Sequence, residues 1–543
     1  MAPRRPMFTA SRSQAFTYLL GVCPFSIAFL VFINSSISFV VTDLIGLHDG
    51  EGDAVGTLGF ADELLALIAC PIWGVLSDRI GVRQVCTAGY TIIAVALVLF
   101  VQAKNVYPQL LLGRLLFSIG GAAVSTMVTA VLPAVTGKRR TLEIERIESE
   151  SAADTSSSRL AGLVGLFAGA GALISLVILL PLPAHFQELG FSPAEAIRYS
   201  YYTAAAVALV ISVCCFIGLR DLPGEDGKAW TSLWATSRPE AHSSEASKTS
   251  YYAAFKSRFP YLNHFGSVIT LGLRNRDIFI GYLGGFVARA SSVGISLFIP
   301  LFVNNYYRTS GLCDGQPTEQ ANPGDIKRSC PKAYVLASIL TGVSQLIALI
   351  AAPAFGYLSE KSRQYHIPLF AAGVAGVVGY IALALLPSPE FKGERGNPGI
   401  FVVMALVGIS QIGAIVCSLS VLSNGILSMA NSMQSTEDRD TENSSQDSRT
   451  ALASDEQEPL LEASGRSRQQ EPSDLKGSIA GAYSLFGGVG ILLLTKLGGL
   501  LFDDLSSSAP FYIMAGFNGV LVIAGLVSGL VIHLRTSRHS VAA

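Results

Sequence analysis

Apolar runs of about twenty residues recur along the whole chain, separated by polar breaks. A helix needs roughly 20 mostly apolar residues to cross a bilayer. Twelve segments satisfy this: 16–44, 55–76, 84–103, 109–132, 159–181, 196–219, 277–303, 332–355, 366–387, 399–428, 476–500 and 510–534. The first follows Met-Ala-Pro-Arg-Arg-Pro. It is too long for a signal-peptide core and has no clean small-residue cleavage site, so it reads as a retained span. The pattern predicts an all-α integral membrane protein with twelve transmembrane helices.

Composition explains what surrounds these helices. Of 543 residues, 50% are hydrophobic and 14% charged, and the mean hydropathy is +0.48. A soluble protein carries about 25% charged residues, so lipid is the expected partner of most of the surface. With 38 Lys+Arg against 39 Asp+Glu, a strongly basic nucleic-acid binder is excluded as the default. The basic residues are nevertheless unevenly placed. One set of loops and termini holds 27, the alternate set holds 6. Basic residues stay on the cytoplasmic side, so both termini are expected to be cytoplasmic.

The expected organisation is a cytoplasmic N-terminus (1–15), a six-helix half (16–219), a cytoplasmic linker (220–276), a second six-helix half (277–534) and a cytoplasmic C-terminus (535–543). The second half carries a polar insert at 431–474 whose composition predicts disorder. That insert holds Glu456-Gln-Glu-Pro-Leu460-Leu461, the spacing of a dileucine sorting signal that an adaptor would read. Of 8 cysteines, Cys313 and Cys330 share one polar segment on the non-cytoplasmic side. There a disulfide and two unpaired thiols are both open readings. Neither Asn-x-Ser/Thr sequon, Asn34 in a span and Asn443 in a cytoplasmic insert, is placed for glycosylation.

The chain repeats itself. Glu63-Leu-Leu-Ala-Leu-Ile-Ala-Cys-Pro71-Ile-Trp-Gly74-Val-Leu-Ser-Asp78-Arg79 aligns with Gln345-Leu-Ile-Ala-Leu-Ile-Ala-Ala-Pro353-Ala-Phe-Gly356-Tyr-Leu-Ser-Glu360-Lys361 without a gap. Gly162-Leu-Val-Gly-Leu-Phe167-Ala-Gly169 likewise matches Gly481-Ala-Tyr-Ser-Leu-Phe486-Gly-Gly488. Two halves of like orientation, with a site near the midplane between them, are parallel-repeat transporter architecture. Gly74 admits close backbone approach. Gly81 suits a tight turn. Asp78 can sit against a helix N-terminus.

The stretch Gly74-Val-Leu-Ser-Asp78-Arg79-Ile-Gly81-Val-Arg83 resembles the signature loop of the major facilitator superfamily, with Val82 in place of the first basic residue of its closing pair. The segment from Gly356 to Lys361 resembles the family's degenerate second copy. The resemblance implies that Asp78, with Arg79 and Arg83, forms a charge latch between the halves on the cytoplasmic side. Arg114 matches the arginine of the family's helix-four motif, often tied to proton coupling, although Ser118 stands where a glycine is usual. The fifth span lacks the Gly-Pro pair of the antiporter motif. As a whole the chain is similar to a fungal branch of the family at the vacuolar membrane; the plasma membrane is the alternative.

Ionisable residues inside spans are costly and are functional candidates. Asp62 and Glu63 lie about 24 Å before Asp78 along a helix, and Arg114 lies about 9 Å deep from the opposite end of its span. An Arg114–carboxylate pair is geometrically feasible, either as a proton-sensitive group or as a static ion pair. Arg289, about 18 Å into its span, is a candidate for contacting an anionic substrate or the opposite half, against a buried structural arginine. Lys496 sits near an interface and can snorkel. Asn34, Gln345 and Gln411 are polar candidates that also suit helix–helix contacts.

No metal or cofactor motif occurs, no phosphate-binding Gly-x-x-x-x-Gly-Lys-Ser/Thr motif, and no metalloprotease or serine hydrolase signature. The expectation is a non-enzymatic, monomeric secondary transporter of a small molecule, with protons as a possible co-substrate. The alternative is a nutrient sensor of the same fold that signals through its inserts.

Overall fold

The computed structural model describes residues 10–46, 51–136, 146–222, 225, 228, 266, 269–270, 272–310, 331–361, 367–392, 396–451 and 476–542. Among them, twelve helices are long and apolar enough to cross a membrane. They are α1 (Arg12–Ile37), α2 (Thr57–Ile80), α3 (Val82–Phe100), α4 (Val106–Val135), α5 (Ser158–Leu179), α6 (Ala194–Gly218), α7 (Arg276–Tyr307), α8 (Val335–Lys361), α9 (Ile367–Leu385), α10 (Ile400–Ser428), α11 (Lys476–Phe502) and α12 (Ala509–Ser528). No strand occurs among the described residues. Large apolar side chains such as Val177, Ile217 and Ile350 are about two-thirds exposed, as lipid-facing positions must be.

Local sequence explains where several helices begin. α1 starts four residues earlier than expected because Ser11 and Gln14 cap reciprocally. The Gln14 N–H donates to Ser11 Oγ (3.3 Å) and the Ser11 N–H to Gln14 Oε1 (2.7 Å). Ser192 and Glu195 form the same box ahead of α6. Asn275 caps α7, accepting from the Asp277 and Ile278 N–H groups. Asp78 and Arg79, expected in a charged exit turn, lie in the last helical turn of α2. The chain then reverses at Gly81, whose φ of 93° lies in the region open to glycine.

The sequence predicts disorder for 431–474; of that insert the described residues 431–451 instead continue the helix that carries α10, which runs from Ile400 to Ala451. A helix already nucleated inside the bundle extends at little further cost per residue, so polar composition alone does not end it. Glu456, Leu460, Leu461, Cys313 and Cys330 lie outside the described residues.

The repeat is realised crosswise. Gly74 of α2 faces α11, where a Cβ would strike Gly477 O and come within 2.9 Å of Gly481 Cα. Gly356 of α8, the repeat counterpart of Gly74, faces α5, where a Cβ would lie 2.8 Å from Gly162 Cα. Gly162 is in turn the counterpart of Gly481. Each half therefore offers its second helix to the fifth helix of the other half through backbone-to-backbone contacts that only glycine permits.

Candidate functional site

Two polar constellations sit on this crosswise frame. The first closes the face of the bundle that bears the chain ends. Helix N-termini leave backbone N–H groups without intrahelical partners and carry partial positive charge. At α11 those groups are met by Asp78, a residue of the other half. The Gly477 N–H donates to Oδ1 (2.6 Å), the Ser478 N–H to Oδ2 (2.6 Å), and Ser478 Oγ also to Oδ2 (2.5 Å). Hydrogen bonds to a charged acceptor are about twice as strong as neutral ones.

The repeat-related position does the same job with different chemistry. Glu360, at the end of α8, pairs with Arg159 at the start of α5. The guanidinium donates through Nε and, at 2.8 Å, through Nη2 to Oε1. Beneath this pair, Ser158 of α5 and Ser359 of α8 both bond Ser420 of α10 (2.7 and 3.0 Å). Lys361 is exposed and no ion pair to it is seen among the described residues. Arg83 turns to its own half, donating to Phe216 O (2.7 Å) with its guanidinium 4.2 Å from the Phe216 ring centroid. The inter-half contact is thus carried by Asp78 and not by Arg83.

Because the Arg159 side chain is 48% exposed, its pair with Glu360 contributes at most about 1 kcal/mol. Arg159→Ala is accordingly expected to lower the melting temperature of the purified protein by no more than a few degrees.

The second constellation lies deep in the bundle. Arg114 of α4 is 2% exposed and Asp62 of α2 is 6% exposed. They form an ion pair through Arg114 Nη2, which also donates to Asn34 Oδ1 of α1. Ser118, in the place of the usual glycine, donates to the Asp62 carbonyl (2.8 Å). Three helices of the first half are tied together here. Arg114 Nε and Nη1 are buried and have no hydrogen-bond partner among the described residues.

Glu63 does not join that pair. It is half-buried, one residue on, and experiences the charges of Asp62, Arg114 and, from the opposite half, Arg289. Leu67, one turn along, would lie 3.0 Å from a Cβ on Gly488 of α11, and the stem of Arg289 would lie 2.6 Å from one on Gly487. Glu63 and Arg289 therefore flank the same stretch of α11.

The second half replaces charge by amides. Gln345, counterpart of Glu63, donates to Gln411 Oε1 (3.2 Å), and Gln411 donates to Ser292 Oγ (2.9 Å). The ammonium of Lys496 stands 4.2 Å from the ring centroid of Phe60 in α2, a cation–π contact between the halves.

The sequence reading does not include Arg159, Ser158, Ser420 and Ser478. The repeat itself carries a signal for Arg159, Ser158 and Ser478; nothing in it marks Ser420. Once Gly162 is matched to Gly481, the residues just before each glycine become candidate partners of the Asp78 and Glu360 turns. Among the described residues no cluster of three or more His, Cys, Asp or Glu could hold a metal ion.

A twelve-helix bundle of two repeated halves, joined by a charged contact on one face and holding buried charges at its centre, defines a membrane transporter fold. The profile of the Major Facilitator Superfamily matches residues 24–435, and the chain belongs to that superfamily. No functionally curated sequence matches it. Among solved structures it is similar to the Escherichia coli fucose:proton symporter FucP (14% identity, TM-score 0.54, 95% of this chain and 99% of that one). It is also similar to FucP in the outward conformation (12% identity, TM-score 0.55, with the same coverage). The human organic anion transporter MFSD10 (TETRAN) is similar too (12% identity, TM-score 0.55, 95% of this chain and 99% of that one).

Proposed function

We propose that this protein is a secondary active transporter that moves a small solute by alternating access, its two halves rocking around the mid-bundle constellation. The observation that carries the reading is the seat of Asp78 on the N-terminus of α11, mirrored by Glu360 on Arg159. Both are polar contacts between halves that can separate as rigid bodies. In the state described, these contacts close the face that bears the termini. The excess of basic residues on that face favours its being cytoplasmic, and the resemblance to a fungal vacuolar branch favours the vacuolar membrane.

Solute contact falls to Arg289, whose guanidinium makes no hydrogen bond or ion pair among the described residues and suits an anionic group. Proton coupling falls to Asp62, Glu63 and Arg114. Arg114 has two buried donors without a partner among the described residues, so the group can exchange partners when a carboxylate gains or loses a proton. The FucP likeness, to a fucose:proton symporter, is consistent with such coupling.

The test has two arms. Vesicles with and without the protein are loaded with a metabolite extract, and solutes that redistribute only with the protein identify the substrate. Asp78→Asn keeps an acceptor but loses the charge, worth about 1.5–3 kcal/mol in hydrogen bonds to a charged group, and is expected to cut transport of that solute at least tenfold. Undiminished transport by Asp78→Asn contradicts the gate.

A further inference from the structure

The linker between the halves does not leave the bundle at once. After α6 the backbone reverses at Asp221 (φ 54°). Gln14, in the first turn of α1, fastens the reversal by donating through Nε2 to the Arg220 carbonyl (2.5 Å) and the Asp221 carbonyl (3.0 Å). Leu222 is 1% exposed. Glu225 then reaches the turn that joins α2 to α3. Its Oε2 accepts from the Val82 N–H (2.7 Å), and its Oε1 faces Lys228 Nζ (3.4 Å), both side chains being about one-tenth exposed.

α3 therefore lacks a cap of its own. Gly81 stands where Ser, Asp or Asn would serve, and a Cβ there would come within 2.8 Å of Glu225 Oε2. The missing cap is supplied by the linker. The turn so fixed begins three residues after Asp78, and the Lys228 ammonium acts electrostatically on the Asp78 carboxylate.

We propose that this opening stretch of the linker is a working part of the gate, with Glu225 and Lys228 as positioning residues that hold the end of α2 so that Asp78 meets α11. The linker is then a strap as well as a tether. It ties the end of α6 and the start of α1 to the α2–α3 turn, and a pull or a modification further along the linker would be felt at Asp78. The proposal rests on the reading of Asp78 as the gate.

The test uses the full chain in sealed vesicles and a membrane-impermeant maleimide applied from the face that bears the termini. The reporter is native Cys70, 6% exposed, whose carbonyl lies where α2 meets Gly481. Alkylation of its peptide is followed by mass spectrometry. Loss of the cap favours the open gate, so Glu225→Ala is expected to raise the rate ~5-fold, while Lys228→Met, which leaves the cap in place and removes the charge beside it, is expected to raise it by less. Glu225→Gln, which still accepts from the Val82 N–H, should stay within ~2-fold of the parent.

If Asp78→Asn accelerates labelling and Glu225→Ala does not, the strap is overturned while the gate stands. If Asp78→Asn leaves labelling unchanged, the gate reading fails and the strap with it. A lower melting temperature of Glu225→Ala at an unchanged labelling rate would mark a purely structural cap and would also overturn the proposal.

Discussion

Replacing Gly74 with valine is expected to keep the gate from closing. A side chain at this position meets Gly477 O and Gly481 Cα, both backbone atoms of α11, so no rotamer change on the facing helix makes room. Overpacking costs about 1–3 kcal/mol, and here the cost falls on the closed state alone because the two helices belong to different halves. That is roughly 5–150-fold fewer closed gates, read as lost transport and as faster alkylation of Cys70. Gly59 supplies the control. It lies on the same helix, and a Cβ there meets nothing within 4 Å, so Gly59→Val should transport like the parent.

The second large effect is on stability. Arg114→Met keeps much of the side-chain volume but strands the Asp62 carboxylate, which has no other ion-pair partner among the described residues. Removing one member of a buried pair costs about 3–5 kcal/mol, read as a lower melting temperature of the purified protein. Adding Asp62→Asn to Arg114→Met removes the stranded charge and should recover a large part of that loss. The two changes are coupled rather than additive. If the double variant melts below Arg114→Met, the pair is not what holds α2 to α4.

Much of this is legible in the sequence. Twelve apolar runs became twelve helices because in lipid a backbone must satisfy itself, and a helix does so locally. The match of Glu63–Arg79 with Gln345–Lys361 exposed the two halves. A carboxylate at Asp78 suited to a helix N-terminus was recognisable from its place in the motif.

What could not be read was which helix it would meet. Crosswise pairing of Gly74 with Gly481 and of Gly356 with Gly162 is a property of how two halves are apposed, and an internal repeat is silent on that. For the same reason the resemblance groups Arg83 with Asp78, although its side chain lies on Phe216. Glu225 was hidden differently. It sits in the linker, where no motif marks it, and its contact with the Val82 N–H is what gives it a role. Depth alone makes a pair of Arg114 with either Asp62 or Glu63 feasible, and the structure selects Asp62. Glu63, indistinguishable from Asp62 by depth, was separated from it only by the direction of its side chain.

The rocking of the halves is tested most directly by a distance across the gate. Spin labels at Ile217 and Tyr357, exposed residues at the ends of α6 and α8 in opposite halves, are read by pulsed electron paramagnetic resonance, with the exposed Cys214 replaced by serine. The account predicts one dominant short distance with Asp78 intact and a shift of population to longer distances in Asp78→Asn. An unchanged distribution would contradict it.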